Sequence, residues 1–240
     1  MKNVILSVLV ITAIILGGCN KGGSPGEARV KKITSGKGLT TEFTYSADNR
    51  IQSTKNSDST KADFTFTGNT ITQHAADPVH GQSMNSTMHL DAHGYVDSTS
   101  ATDPTGGTYL KLDQHDADGY SLSSKEYMSG VLRRSTSSVV KDGNEVARTI
   151  SDQESKPIAT VYFEYFTDKA NSLSSENFGM KFMGKDSKNL MKKFVQVLAK
   201  GDTVGTGTFT YTYDDKGRIT SKTTHDGHGM SADSITVSYY

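Results

Sequence analysis

The sequence predicts an all-β fold: an antiparallel up-and-down meander forming a strongly curved sheet or barrel, soluble rather than membrane-spanning. Three observations carry this reading. The stretch from Thr208 to Tyr213 alternates Thr with Phe209, Tyr211 and Tyr213, the period of two of a half-buried strand. It then reverses at Asp214-Asp-Lys-Gly217 and resumes at Ile219. Asp starts such a turn by bonding its own backbone, and Gly accepts the positive φ that closes it. That turn is one of a series, at Ser46-Ala-Asp-Asn49, Asp91-Ala-His-Gly94, Asp116-Ala-Asp-Gly119, Asp168-Lys-Ala-Asn171 and Asp214-Asp-Lys-Gly217. Finally, 23 glycines against 4 prolines suit many strands and turns.

In chain order, Lys2 and the apolar run 4–16 form a charged start and an apolar core too short to span a bilayer. The run ends in Leu16-Gly17-Gly18-Cys19, which resembles the bacterial lipobox, and Cys19 is the one cysteine in the chain. The expectation is a lipoprotein signal peptide over 1–18, then lipidated Cys19 and a flexible Gly/Ser tether over 19–27. A single β-meander domain is expected over 28–240, its first strand opened by Val30 and Ile33 and its second covering 41–45. The turns of the series, with shorter ones at Gly68-Asn69 and Asp142-Gly143-Asn144, recur roughly every 20–27 residues. The series reads as an antiparallel meander, and about twelve strands are expected. In four of the five longer turns an apolar residue follows by two: Ile51, Val96, Leu173 and Ile219. The segment 187–200 fits either a helix stripe, with Ser187 as cap and Gly201 as stop, or a strand over 193–199.

The motif Tyr-Thr-Tyr-Asp-x-x-Gly-Arg-Ile at 211–219 resembles the YD unit of Rhs-type repeats. The lipobox, the degenerate YD hairpins, Gly184-Lys-Asp-Ser-Lys-Asn-Leu190 and the final Ile235-Thr-Val-Ser-Tyr-Tyr240 together resemble Bacteroidota lipoproteins grouped as domain of unknown function 4595. The resemblance implies a porin-like β fold and a strand at 193–199. It implies no activity and no site residues. The repeat departs from the pattern in the middle of the chain, where His115 stands in place of the tyrosine.

Zero formal net charge gives no reason to invoke nucleic acid. His225, Asp226 and His228 are candidate metal ligands in a Gly-rich loop, and His89 and His93 flank another turn. A zinc site needs three or four such ligands converging, so solvated loop histidines are the simpler account. Asp116-Ala-Asp-Gly119 approaches a calcium loop, but Gln114 and Lys125 stand where that loop needs carboxylates. No cofactor is expected, and no nucleophile elbow or catalytic constellation is evident. The recurring residues Asn49, Gly94, Gly119, Asn171 and Gly217 are turn formers.

These features predict a non-enzymatic cell-envelope lipoprotein, a β scaffold for an unknown ligand or partner that reaches the membrane through its lipid. One alternative is a carrier of an apolar small molecule inside a barrel, favoured by a Phe/Tyr-lined cavity without polar plugs. Another is an envelope hydrolase. Surface-exported lipoproteins of Bacteroidota tend to carry acidic residues shortly after the lipidated Cys. With Lys21 and no acidic residue before Glu27, the resemblance therefore implies the periplasmic face of the outer membrane rather than the cell surface.

Overall fold

The computed structural model describes residues 29–103, 105–227 and 231–240. The signal segment, Cys19, the tether and His228 lie outside the described residues. The strands are β1 (Val30–Ser35), β2 (Thr40–Tyr45), β3 (Ile51–Asn56), β4 (Lys61–Thr67), β5 (Thr70–Asp77), β6 (Gln82–Leu90), β7 (Val96–Thr102) and β8 (Thr108–His115). They continue with β9 (Ser121–Met128), β10 (Val131–Lys141), β11 (Asn144–Ser151), β12 (Pro157–Ala170), β13 (Asn189–Leu198), β14 (Thr203–Tyr213), β15 (Ile219–Asp226) and β16 (Ser231–Tyr239). Every strand pairs with its neighbours in sequence, and β1 pairs antiparallel with β16, so the meander closes into a sixteen-strand barrel.

The expected twelve is an undercount. The turns and short turns of the series each join two strands, β2/β3 through β14/β15, and β1 and β16 flank them. Several of the alternate hairpins turn without the Asp-x-x-Gly signature. Examples are the positive-φ pair Ser129 and Gly130 and the turn around Ser59. Within 187–200 the structure has a strand, not a helix: β13 (Asn189–Leu198) pairs with both β12 and β14. Ladder pairing on two sides outweighs the local helical pattern; the strand and helix readings differ only in how the same apolar residues are buried.

The Asp-led turns share one mechanism. Oδ1 of Asp91 accepts the N–H groups of His93 and Tyr95, at 2.8 and 2.9 Å. Asp116 does the same for Asp118 and Tyr120, and Asp214 for Lys216 and Arg218. Asn49, Gly94, Gly119 and Gly217 all have positive φ in their turns. Asn171 departs from the series: β12 runs on to Ala170, and Asn171 opens a long segment, 171–188. Its Oδ1 accepts from the N–H of Leu173, and its own N–H donates to the Lys188 carbonyl across the mouth of that segment.

A second repeated device explains the tyrosine of the motif. The hydroxyls of Tyr165, Tyr211 and Tyr239 donate to the carbonyls of Glu145, Met191 and Ile219, each about one hairpin earlier, at 2.8 to 2.9 Å. Each bond fixes the end of a strand against the start of its neighbour. Burial pushes the Tyr165 and Tyr239 phenols up to about 12, so both remain donors at neutral pH.

Side-chain alternation separates two faces. Phe43, Thr54, Ala62, Ile71 and Ala75 are buried inside. Glu42, Ser53, Asp63 and Thr72 occupy the alternate, outward positions. The cross-strand rows Leu110–Tyr127–Leu132 and Val139–Ala147–Tyr162–Val195 bring apolar side chains to the outer face. They are bordered by Lys125, Ser135, Glu164 and Lys193. A lipid-facing barrel needs a continuous apolar band about 25 Å tall. This exterior, with charged and hydroxyl residues at every level, suits water.

The turn carboxylates make the fold sensitive to acid. The Tyr95 N–H holds the Asp91 carboxyl below the usual aspartate range, with the His93 N–H adding to it and burial opposing. The Thr105 hydroxyl and then the Gly107 N–H do the same for Asp103. A carboxyl with a depressed pKa in the folded state stabilises the fold above its ordinary pKa, and that stabilisation is lost as pH falls through the folded value. The melting temperature is therefore expected to fall once pH drops below about 4. Asp91→Asn combined with Asp103→Asn should flatten that acid limb, as scanning calorimetry from pH 7 to pH 3 would reveal. An acid limb as steep as the parent's would remove these turns as its source.

Candidate functional site

A sixteen-strand barrel is too wide for side chains from opposite walls to meet. Segment 171–188 addresses this by crossing the end where the Asp-x-x-Gly turns lie, forming a floor. It includes a single turn of 3-10 helix, Lys181–Met183, and buries Phe178, Met180 and Phe182. Phe178 packs against Phe43 and Phe182 meets Phe66 edge-on, with centroids at 5.2 and 5.7 Å. These residues join Val30, Ile51, Ile71, Met88, Val96 and Val237 in one core cluster.

The floor also satisfies backbone groups at the strand starts. The Val30 N–H donates to the Asn177 carbonyl and the Ile51 N–H to the Gly179 carbonyl. The Glu145 N–H donates to Ser187 Oγ, and the Ile219 N–H to Ser172 Oγ. In return, Lys185 and Lys188 donate their N–H groups to the carbonyls of Gly119 and Gly143, at 2.7 and 2.8 Å. Asp186 ties the segment to itself by accepting from the Ser175 N–H and hydroxyl.

Above the floor lies a cavity of about 510 Å³ bounded by the inner faces of β4 to β13. Its size falls within the range of small-molecule sites, roughly 300–1,000 Å³. It reaches Asp103 and Gly107 at the opposite rim. The two walls differ. Phe64, Met84, Met88 and Val96 give an apolar side on β4, β6 and β7, while Lys111, Asp113, Ser124, Glu126, Arg134 and Thr136 give a polar one on β8 to β10. Phe182 in the floor and Met191 on β13 add further apolar lining.

The charges on the polar side are paired. Lys111 Nζ lies 2.7 Å from Asp113, Arg134 lies 2.9 Å from Glu126, and Arg148 Nε donates to Glu145 at 2.8 Å. Ser124 and Thr136 hydroxyls bond each other at 2.9 Å. Two buried polar atoms on β8 have no hydrogen-bond partner among the described residues, Tyr109 OH and His115 Nδ1. Both residues line the cavity.

The candidate metal ligands are not brought together. His225 Nε2 bonds the Thr210 hydroxyl at 3.0 Å, and Asp226 is the next residue on β15, so alternation sends the two side chains to opposite faces. His89 on β6 contacts Thr70, while His93 lies in the turn led by Asp91. Among the described residues no group of three or more His, Cys, Asp or Glu is placed to hold a metal ion. The glycines Gly205 and Gly207 lie on β14 opposite Gln196 and Phe194.

The charged wall escaped sequence reasoning. Its residues come from four strands, and the alternation that placed Lys111 and Asp113 inside gives no sign that a polar face is turned inward. The only available signal was Tyr109-Leu-Lys-Leu-Asp-Gln-His115, whose alternate leucines point the other way.

No protein-family model and no curated protein matches the chain. Among solved structures, it is similar to a porin-like protein from Bacteroides uniformis, with TM-score 0.64 and 14% identity, covering 88% of this chain and 98% of that one. It is also similar to a porin-like protein from Bacteroides vulgatus, with TM-score 0.61 and 14% identity, covering 88% of this chain and 99% of that one. At such identity the likeness is one of fold, and the fold it identifies is the porin-like β-barrel.

Proposed function

We propose that this chain is a non-enzymatic, lipid-anchored envelope barrel that binds a small molecule in its interior. The observation carrying the reading is the cavity itself, floored by segment 171–188 and walled by paired charges on one side and methionine and phenylalanine on the other. A closed floor argues for holding a molecule rather than passing it through. The apolar-carrier alternative loses ground, because its criterion was an aromatic cavity without polar plugs. The resemblance to the domain of unknown function 4595 lipoproteins supports the envelope setting, on the motif residues quoted above.

The binding test uses N-phenyl-1-naphthylamine, an uncharged dye whose fluorescence rises in apolar surroundings. Saturable binding near one dye per protein is expected. Thr136→Trp, which places a large ring in the cavity, should weaken it at least about tenfold, as loss of a buried ligand contact does. Equal binding by parent and variant would move the dye, and the proposed site, out of the barrel.

The anchor is tested separately. Cys19→Ser should abolish incorporation of radiolabelled palmitate and leave an unprocessed product. Labelling that persists in the variant would refute lipidation at Cys19. Protease treatment of intact cells beside lysed ones tests the periplasmic face, where digestion only after lysis is expected.

A further inference from the structure

The composition of the cavity names a class of ligand; this step rests on the binding reading above. Four cations line it (Lys111, Arg134, Arg148 and Lys185) against five carboxylates (Asp103, Asp113, Glu126, Glu145 and Asp186). Three of the cations are ion-paired, and the fourth, Lys185, lies over the Tyr120 ring with Nζ 5.6 Å from its centroid. A ligand carboxylate or phosphate could meet Lys185 alone without displacing a protein carboxylate from its cation, and it would add to a surplus of negative charge. A ligand cation would have to displace Lys111, Arg134 or Arg148 at three of the five carboxylates, and at Asp103 it would meet a carboxylate already accepting from the Thr105 and Gly107 N–H groups. A wholly apolar ligand would strip water from the paired charges without replacing its hydrogen bonds, which is costly. A wholly polar one would leave the apolar wall unused.

What the walls match is a molecule with two unlike sides. The inner row of β8 runs Tyr109, Lys111, Asp113, His115, with the orphaned Tyr109 hydroxyl and His115 Nδ1 at its two ends. At about 3.4 Å per residue that row is about 20 Å long. Buried polar groups without partners are costly unless something else supplies the bond. The apolar part of the lining is rich in methionine and is spread over β6, the floor, β13 and the end of β9. Six of the eight methionines in the chain line the cavity: Met84, Met88, Met128, Met180, Met183 and Met191. Methionine is unbranched and polarisable, and it suits surfaces that adapt to varied apolar shapes.

We propose that the barrel binds an elongated, uncharged amphiphile, with its hydroxyl- or amide-bearing edge along β8 and β9 and its apolar body against the methionines of β6 and the floor. The ion pairs then act as a charge filter: they offer hydrogen bonds to neutral groups and exclude ions.

The test is competition against bound N-phenyl-1-naphthylamine, below critical micelle concentrations. The competitors are n-octyl β-D-glucoside, laurate, dodecylamine and maltose. Octyl glucoside is expected to displace the dye at least about tenfold better than any of the others. Glu126→Gln frees Arg134 from its carboxylate and should improve laurate about tenfold, the worth of a hydrogen bond to a charged group. Arg134→Gln should improve dodecylamine in the same way. Laurate or dodecylamine competing as well as octyl glucoside in the parent would overturn the ligand class while leaving the cavity as a binding site. Unchanged selectivity in both folded variants would overturn the filter. Failure of the dye to bind at all would remove the underlying reading, and this proposal with it.

Discussion

Gly179→Ala is expected to destabilise the barrel by roughly 2–5 kcal/mol, the sum of left-handed strain and overpacking against atoms that cannot yield. Gly179 has a φ of +67°, and a Cβ there would stand 2.6 Å from the Ile51 nitrogen and 2.8 Å from the Asn49 carbonyl oxygen. Both neighbours are backbone, and the Gly179 carbonyl also accepts from the Ile51 N–H at 3.1 Å. The methyl group would therefore push the floor away from the turn it is bonded to. Gly94 and Gly217 provide the contrast. They share the positive φ, but nothing lies within 4 Å of the added atom. Alanine at either should cost only the strain, about 1–2 kcal/mol. Denaturant unfolding of the three variants separates the contributions. If Gly179→Ala were no less stable than Gly217→Ala, the floor would not seat against residues 49–51.

The same comparison shows what the sequence made legible. The turn at 214–217 can be read directly, because an Asp carboxylate and a positive-φ Gly act within four consecutive residues. Ile51, Val96 and Ile219, placed two residues after such turns, are fully buried for the same local reason. Leu122, one place out of step, is 40% exposed. The barrel's closure was only partly legible: β1 and β16 are far apart in the chain, and nothing local in Ile33 or Val237 announces their pairing. Segment 171–188 was the least legible. Asp168-Lys-Ala-Asn171 has the letters of a turn, yet Tyr165 bonds the Glu145 carbonyl and β12 continues past the expected stop. What makes this segment a floor is the width of a sixteen-strand barrel, a property of the whole fold. The candidate site was hidden for a similar reason, since charges inside and leucines outside on β8 invert the usual expectation for alternation.

Phe182→Ala should cost about 3–5 kcal/mol, the usual range for emptying a buried aromatic site. The loss should also be specific to the floor. Phe182 is 7% exposed, and its ring meets Phe66, which in turn lies under the Arg50 guanidinium with 4.4 Å to the ring centroid. Removing the ring leaves the 3-10 turn Lys181–Met183 without its main apolar anchor, while the ladders of β4 and β5 keep every backbone bond. The segment should therefore open before the barrel does. Limited trypsin digestion should cut first at Lys181, Lys185 or Lys188. Because Phe182 also lines the cavity, N-phenyl-1-naphthylamine should bind less tightly to the variant. Tyr162→Ala is the control: that ring is 52% exposed on the outer face, and its loss should change stability by no more than about 0.5 kcal/mol. A Phe182→Ala protein that melts with the control and resists trypsin would show that the floor is held by its backbone hydrogen bonds alone. If it melted early but as one unit, with cuts spread over the strands, floor and barrel would be a single cooperative structure, and the cavity could not open without unfolding.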